Sequence, residues 1–377
     1  VVLTVDGSAE SPAVGLLGAD ELSLLAGVNP ALLAQETSVC DTPQQIGRIV
    51  QRSKSLIFEA LSEPSRAEWC AQVVGELYEA TVARLIEVAE MEAVGSGLER
   101  PGLKACWVFF GGAGRRELMT WFDVDVGIIL EDADDHELSE ASRWYSRIAR
   151  RVDAMLVQCG FGFTESAVRV ADPGVRLTLD AWKRRFQACV SDPTDHKVYG
   201  FRSFFDFHDF HGDRELAEQL RDEMLGLASG DPHFLALLAS DCLEQMPPVT
   251  FFEGLVVQDG GVETDVLDIR RSAVFPIVDS ARVFGLARGA RAPGTFARLD
   301  AAASLLPSRK EAFEEAKEAY RVTLQRRSRA GLSHADDGVH IRPGSLSKYE
   351  QQVLKGAFRS IVHLIELTSQ YFKTEAG

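Results

Sequence analysis

The segment from residue 105 to residue 130 constrains the fold of this chain more than any other part of it. An apolar run over residues 105–110 ends in the pair Gly111-Gly112, and a second apolar run over residues 122–130 begins with Asp123 and Asp125. Short apolar runs bounded by glycine predict buried strands. Two such strands would bring a glycine turn and a carboxylate pair to one edge of a sheet.

The sequence around this segment predicts helices. Residues 9–98 are expected to be helical, starting with an acidic first turn near residue 20 and including a long amphipathic helix over residues 68–94. Strands are predicted over residues 105–110, 122–130, 162–170 and 199–207, and helices over residues 136–159, 177–190, 215–227, 231–245, 276–290, 298–305, 309–329 and 346–372, with a glycine-rich hairpin or loop over residues 256–262.

This alternation predicts an α+β protein with three parts. An N-terminal helical region would cover residues 1–100, and a mixed β-sheet domain would cover residues 101–228. A C-terminal helical bundle would follow over residues 229–377, because its long helices and short connections suit antiparallel packing.

Composition excludes several classes of function. The chain has 377 residues and a net charge of -16, which disfavours general nucleic-acid binding. Its apolar runs are too short for a membrane span, and no signal peptide is expected at its start. The six cysteines include no Cys-x-x-Cys pair, so neither a zinc site nor a disulfide framework is predicted. We therefore expect a cytoplasmic protein, and leave open whether it forms a homodimer.

The glycine pair is a candidate phosphate site. Two glycines after a buried strand let backbone N–H groups approach a phosphate, and Arg115 or Arg116 could pair with phosphate oxygens. A tight strand-to-helix turn in any α/β protein is the alternative. A P-loop is excluded because no Gly-Lys-Ser/Thr follows, and the spacing does not fit the dinucleotide-binding fingerprint.

The aspartate pair is a candidate metal site. On a strand, residues i and i+2 point to the same face, so Asp123 and Asp125 are expected to share one face. Unpaired carboxylates among apolar neighbours are costly, whereas divalent cations would neutralise them. A strand end exposed to water is the alternative explanation.

A third carboxylate is predicted further along the chain. Asp206 lies among aromatic residues at a strand-like position, and His208 would share its face. Hydrogen-bonded or solvent-facing side chains remain the alternative for His208 and His211. The acidic stretch at residues 131–135 is expected to be a solvated loop.

These motifs resemble those of a known group of enzymes. Residues 110–112, followed after ten residues by 123–126, resemble the signature of the DNA polymerase β-like nucleotidyltransferase superfamily. The longer string is similar to a bacterial branch often fused to CBS or cyclic-nucleotide-binding domains, and related to the uridylyltransferases that modify the PII protein. The resemblance extends over residues 65–372 and includes Asp172, Arg176, Trp182, Asp206, Gly212, Asp213, Asp268, Arg270, Pro276, Arg282, Thr295 and Arg298.

The resemblance implies a Mg²⁺- or Mn²⁺-dependent nucleotidyltransferase that takes a nucleoside triphosphate (NTP) and a protein or small-molecule acceptor. It implies Asp123, Asp125 and Asp206 as catalytic metal ligands. Nucleotide contacts would come from Gly111, Gly112, Arg115 and Arg116, with Glu117 and His208 as accessory candidates.

Three positions depart from the branch. It usually has serine at Gly112, threonine at Phe122 and arginine at His208. The missing arginine motivates a second hypothesis, a nucleotide-binding regulatory protein with weakened transfer activity. A third hypothesis, a metal-dependent phosphohydrolase, rests on His208-Asp209 with His211 and Asp213 nearby.

Overall fold

The structure is a computed structural model that describes residues 30–240 and 266–373, together with residues 2–4, 8, 11–16, 242 and 247. Helices dominate these residues, and a four-stranded mixed sheet lies between them in the chain. The predicted fold class, α+β with helical segments on both sides of a mixed sheet, is confirmed. Among the described residues, no helix combines the length and the apolar character that crossing a membrane requires.

In the described residues before the sheet, three α-helices are present: α1 (Pro30–Ser38), α2 (Pro43–Ala60) and α3 (Ala67–Gly95). The long helix predicted over residues 68–94 is thus confirmed as α3. At the start of α2, the Thr42 side chain accepts from the Gln45 N–H and the Gln45 side chain accepts from the Thr42 N–H. This reciprocal capping satisfies two amides that the helix leaves unpaired.

The N-terminal region is not helical throughout. β1 (Val2–Thr4) pairs antiparallel with β2 (Ala13–Leu16), so the prediction of a helix from residue 9 is wrong there. Pro12 and Gly15 both disfavour a helix, which favours the extended pairing. The helix expected near residue 20 lies outside the described residues.

The strands of the sheet are β3 (Ala105–Phe109), β4 (Val126–Leu130), β5 (Arg176–Thr178) and β6 (His208–Gly212). They lie in the order β5–β4–β3–β6. The inner strand β3 runs antiparallel to β4 and β6, and β4 runs parallel to β5. Between and after these strands lie α4 (Gly111–Gly114), α5 (Asp135–Gln158), α6 (Leu179–Ser191), α7 (Asp195–Phe201) and α8 (Arg214–Ser229).

Each face of the sheet covers a separate core. Alternate side chains of β3, Trp107 and Phe109, pack with residues of α3 and α5. Cys106 and Val108 point the other way, into a core shared with α6 and α8. Because successive side chains of a strand point to opposite faces, a five-residue strand with four buried positions is covered on both sides.

Two predicted strands are wrong. Residues 162–170 form no strand, because their backbone groups bind the segment that precedes β4: the Gly162 N–H donates to Trp121 O, and the Asp123 N–H donates to Gly162 O. The strand parallel to β4 is instead β5, which follows the short 3₁₀ turn Pro173–Val175.

Residues 199–207 are also not a strand. They form the end of α7 and the 3₁₀ segment Arg202–Phe205, and the strand begins only at His208. The aromatic residues Phe201, Phe204 and Phe205 have the i, i+3, i+4 spacing of a helix, and all three pack against Phe110 or Phe186 in the second core.

The C-terminal residues form the predicted helical bundle. The helices are α9 (Pro232–Ser240), α10 (Phe275–Arg288), α11 (Thr295–Leu305), α12 (Lys310–His334) and α13 (Lys348–Phe372). A short strand β7 (Leu267–Asp268) pairs with β8 (His340–Ile341). A π-helical segment (Arg270–Val274) continues directly into α10, and because the residues from Pro276 to Leu286 are all buried, α10 is the central helix. The hairpin or loop predicted over residues 256–262 lies outside the described residues.

Replacement of Gly114 by alanine should destabilise the fold. A Cβ there would lie 2.0 Å from the carbonyl oxygen of Asp206 and 2.8 Å from that of Phe109, and both are backbone atoms that cannot rotate away. We expect Gly114→Ala to lower the free energy of unfolding by about 2 kcal/mol or more, measured by urea denaturation.

The matched control is Gly226→Ala on α8, where a Cβ would meet no described atom within 4 Å. This control should gain about 0.5 kcal/mol from helix propensity. Equal midpoints for both variants would contradict the close approach at Gly114.

Candidate active site

The glycine pair forms a tight turn directly after β3. Gly111 has a φ of +55°, in the left-handed region that glycine adopts without strain. A Cβ at Gly111 would lie 3.2 Å from Oδ2 of Asp125, so only glycine lets this turn lie against that carboxylate. The first amides of a helical turn have no partner inside it. The amides of Gly111 and Gly112 can therefore meet a phosphate beside Asp125.

Asp123 and Asp125 are held by the loop that follows α5. Asp123 has a φ of +55° and precedes the strand, so the same-face strand geometry predicted for the pair is wrong. The Asp123 carboxylate accepts hydrogen bonds from the Thr164 N–H (2.7 Å) and the Thr164 hydroxyl (2.8 Å). Asp125 accepts one from the Val168 N–H (2.8 Å). This loop therefore holds the two carboxylates near each other, although both residues precede β4.

The carboxylate pair accumulates negative charge. Burial is the main cause that raises the pKa of Asp125, to about 7; the Val168 N–H and the charge of Arg115 oppose this shift, and the charge of Asp123 adds to it. Within the part of the chain that the structure describes, neither carboxylate forms a salt bridge. Two adjacent oxygen donors that lack a cationic partner are a donor set that suits a divalent cation.

Asp206 does not join this pair. It follows the 3₁₀ segment Arg202–Phe205 and is fully buried. Oδ1 accepts from Arg282 Nε (2.9 Å) and from Arg298, and Oδ2 accepts from Arg282 Nη2 (2.6 Å) and Arg115 Nη1 (2.6 Å). Burial by itself would raise the pKa of Asp206, but these three guanidinium groups outweigh it and hold the pKa well below its usual range.

The predicted cluster of three metal-binding carboxylates is therefore not present. Both oxygens of Asp206 already accept from arginines, which leaves Asp206 no position for a metal in this geometry. Among the described residues, no group of three or more His, Cys, Asp or Glu side chains could hold a metal ion. The candidate donors are reduced to Asp123 and Asp125.

Arg115 connects the glycine turn to Asp206. Its Nη1 donates to Asp206, its Nε donates to Glu117 Oε2 (2.7 Å), and its Nη2 lies 4.0 Å from where a Gly112 Cβ would be. Glu117 in turn accepts from the Thr295 hydroxyl (2.8 Å) and the Tyr320 hydroxyl (2.7 Å). A guanidinium fixed on two sides, with its third nitrogen beside the glycine pair, is positioned for a phosphate oxygen.

Two known families match parts of this chain. Residues 51–196 match the family described as "Putative nucleotidyltransferase DUF294", and residues 232–372 match the family described as "Putative nucleotidyltransferase substrate binding domain". The chain belongs to this nucleotidyltransferase family. The expected resemblance to nucleotidyltransferases is thus confirmed over both parts of the chain.

A curated relative is also a nucleotidyltransferase. The chain is 28% identical over 131 residues to a bifunctional glutamine synthetase adenylyltransferase/adenylyl-removing enzyme of Stenotrophomonas maltophilia (strain R551-3). The match covers 33% of this chain and 13% of that enzyme. The chain therefore corresponds to a small part of its relative.

Arg116 and His208 lie close to each other, in a cavity that Arg115 also lines. Arg116 donates to Glu79 (2.6 Å) on α3, and its Nη2 is 3.2 Å from His208 Nε2. Both side chains line a cavity of about 500 Å³ between α3, the segment after α4, and the start of α11. In this arrangement they do not face the carboxylate pair, and their predicted roles stay predictions.

Sequence reasoning did not assign a role to several residues of the site. Thr164 and Val168, which orient the carboxylates, lie in a segment predicted to be a strand. Arg282 and Arg298 belong to the C-terminal residues that carry the family resemblance. That resemblance was the available signal, but it did not show that both arginines bind Asp206.

Removal of the Asp206 charge should destabilise the protein strongly. Asp206→Asn would leave Arg115, Arg282 and Arg298 facing a neutral amide, and breaking a buried ion pair costs about 3 to 5 kcal/mol. Urea unfolding would measure this loss. The control Asp222→Asn removes an exposed partner of Arg291 and should cost less than about 1 kcal/mol. Similar losses in both variants would contradict the role of Asp206.

Replacement of Asp125 by asparagine should stabilise the protein at high pH. The pKa of Asp125 in the folded state is raised to about 7, above the ordinary value of about 4, so the stability contributed by the protonated form is lost as pH rises from about 4 through about 7. We expect Asp125→Asn to gain about 1 to 2 kcal/mol at pH 8 and little at pH 4 in thermal unfolding without divalent metal. The exposed control Asp222→Asn should change the free energy of unfolding by less than about 1 kcal/mol at both pH values. A loss of stability at pH 8 would refute the expectation.

Proposed function

We propose that this chain is a Mg²⁺- or Mn²⁺-dependent nucleotidyltransferase, which moves a nucleoside monophosphate from an NTP to a hydroxyl group and releases pyrophosphate. The observation that carries the proposal is the close approach of the Gly111 turn to Asp125, next to Asp123. In this proposal, the backbone amides of the turn bind phosphate and the two carboxylates beside them bind the metal. Membership in a nucleotidyltransferase family supports the same chemistry.

The residues present fit a divalent metal with Asp123 and Asp125 as its protein ligands. Carboxylate oxygens are the ligands that Mg²⁺ prefers, and it usually binds through one or two of them together with substrate phosphates. Bound there, the ion would neutralise charge on the triphosphate. Asp206 acts differently in this proposal: it positions Arg115 rather than coordinating the metal.

The chain's own residues bind and orient the triphosphate. The amides of Gly111 and Gly112 and the free nitrogen of Arg115 would contact the phosphates that leave as pyrophosphate. The acceptor oxygen attacks the α-phosphorus, the bond to the bridging oxygen of the β-phosphate breaks, and the hydroxyl proton passes to water. We further propose an adenylyl group and a protein acceptor, because the name of the curated relative describes adenylyl transfer involving glutamine synthetase.

A nucleotide-binding regulatory protein is the second candidate function. The observation that favours it is His208, which stands where the branch has arginine and approaches Glu79 Oε1 at 3.1 Å instead of facing the carboxylate pair. Such a protein would bind Mg-NTP tightly without turnover across many acceptors.

The phosphohydrolase hypothesis has no such support. Asp209 pairs with Arg214 and Arg221, and Asp213 caps α8. His211 and Asp213 line a cavity of about 280 Å³ that neither His208 nor Asp209 lines. These side chains do not converge on one point.

Pyrophosphate release tests the proposed function. Wild-type protein with Mg²⁺, a panel of NTPs and a lysate as the source of acceptors should release pyrophosphate and add one nucleotide unit to a protein. Asp123→Asn and Asp125→Asn should each lower the rate by about a thousandfold or more, because a metal ligand is lost.

Asp135→Asn, an exposed aspartate at the start of α5, is the matched control and should retain the wild-type rate. Equal rates in the wild type and both site variants would show that the mechanism is wrong. Tight NTP binding without release would favour the regulatory protein.

A further inference from the structure

A further cavity is lined by the residue that directly precedes the carboxylate pair. It has a volume of about 480 Å³ and lies between α2, the turn at residues 160–162 and the end of α12. Phe122, the residue before Asp123, lines it, and so does Gly162, whose carbonyl accepts the Asp123 N–H (3.0 Å). The cavity therefore shares its wall with the backbone that holds the first carboxylate.

Each group of the site neighbours the next. Gly111 lies beside Asp125, where a Cβ would be 3.2 Å from Oδ2, Asp125 interacts with Asp123, and Phe122 lines the cavity. The paired segment keeps the same order: Val168 binds Asp125, Thr164 binds Asp123, and Gly162 pairs with Phe122. A triphosphate whose terminal phosphates lie at the glycine turn and whose α-phosphate lies at the carboxylates would direct its nucleoside toward this cavity.

The chemistry of the cavity suits a flat ring with hydrogen-bond acceptors. Lys54 donates to the Gly160 carbonyl oxygen (2.8 Å), and among the described residues it has no carboxylate within salt-bridge distance. Its ammonium group keeps further donors for a ligand. Thr120 is buried, and its hydroxyl has no hydrogen-bond partner in the described part of the chain. Such an orphan hydroxyl is uncommon in a buried position.

The aromatic ring of Phe122 provides an apolar wall. A Cβ at Gly162 would lie within 2.2 to 2.5 Å of three atoms of this ring, so Gly162 fixes where the ring lies. Phe122 is partly exposed and is one of the positions at which the sequence departs from the branch it resembles. Bases stack on aromatic side chains, because every base presents a π-face.

We propose that this cavity binds the base of the NTP, with Phe122 as the stacking surface and Lys54 as a donor to a carbonyl oxygen or ring nitrogen of the base. The inference rests on the proposed function, because it assumes that the triphosphate lies at the glycine turn. Lys54 and Phe122 are then specificity-determining residues. The volume is within the range of pockets that bind small molecules, and it exceeds what a base alone would fill.

Equilibrium binding separates base recognition from phosphate binding. Dissociation constants would be measured by calorimetry for ATP, GTP, CTP, UTP and inorganic tripolyphosphate, with Mg²⁺ present. The wild type should bind at least one NTP more tightly than tripolyphosphate. Lys54→Met and Phe122→Leu should each weaken that NTP about tenfold, and both should leave tripolyphosphate binding unchanged.

Two controls keep the test interpretable. Lys348→Met removes an exposed lysine at the start of α13 and should change no dissociation constant. Thermal unfolding of each variant checks that it folds. Ser55→Trp, which fills the cavity from α2 without removing Lys54, should weaken the NTP in the same way if Lys54→Met does not fold.

The outcomes distinguish this inference from the proposed function. If NTPs and tripolyphosphate bind equally, or if the variants weaken both by the same factor, the cavity does not recognise the base, although the triphosphate site stands. If the variants change only the KM for an acceptor, the cavity binds the acceptor and the inference is overturned. If neither NTPs nor tripolyphosphate bind, the proposed function fails as well.

Discussion

The ion cluster around Asp206 is the interaction on which the rest of the site depends. One buried carboxylate accepts hydrogen bonds from Arg115 beside the glycine turn, from Arg282 on α10 and from Arg298 on α11. Such a cluster is stable only when every charge has a partner, because a buried charge left alone costs several kcal/mol. The chain meets this condition with Asp279 beside Arg282 and Glu117 beside Arg115.

The cluster connects the C-terminal helices to the glycine pair through Asp206 and Arg115. The helices α10 and α11 fix Asp206, Asp206 fixes Arg115, and Arg115 then presents its remaining nitrogen to the glycine pair. Because Nε and Nη1 of Arg115 both donate to carboxylates, the guanidinium is held in this orientation before a nucleotide binds. The conformational entropy of the Arg115 side chain is therefore lost when the chain folds, and not when a nucleotide binds.

The parts of the site that are close in sequence could be predicted, and those that are far apart could not. The glycine turn, the aspartate pair and α3 follow from local patterns of glycine, charge and hydrophobicity. The role of Asp206 was not predictable, because its partners Arg282 and Arg298 follow it by 76 and 92 residues. Aromatic residues near residue 204 were interpreted as a strand from their composition, although their spacing is helical.

The order of elements along the chain has a consequence for where this protein can be divided. The two family matches end at residue 196 and resume at residue 232, and the stretch between them holds Asp206, β6 and α8. A fragment cut at the first border would lose the edge strand of its sheet and expose the hydrogen-bonding groups of β3. The borders of sequence similarity are therefore not borders of a folding unit, and the stretch that neither match covers joins the two halves into one structure.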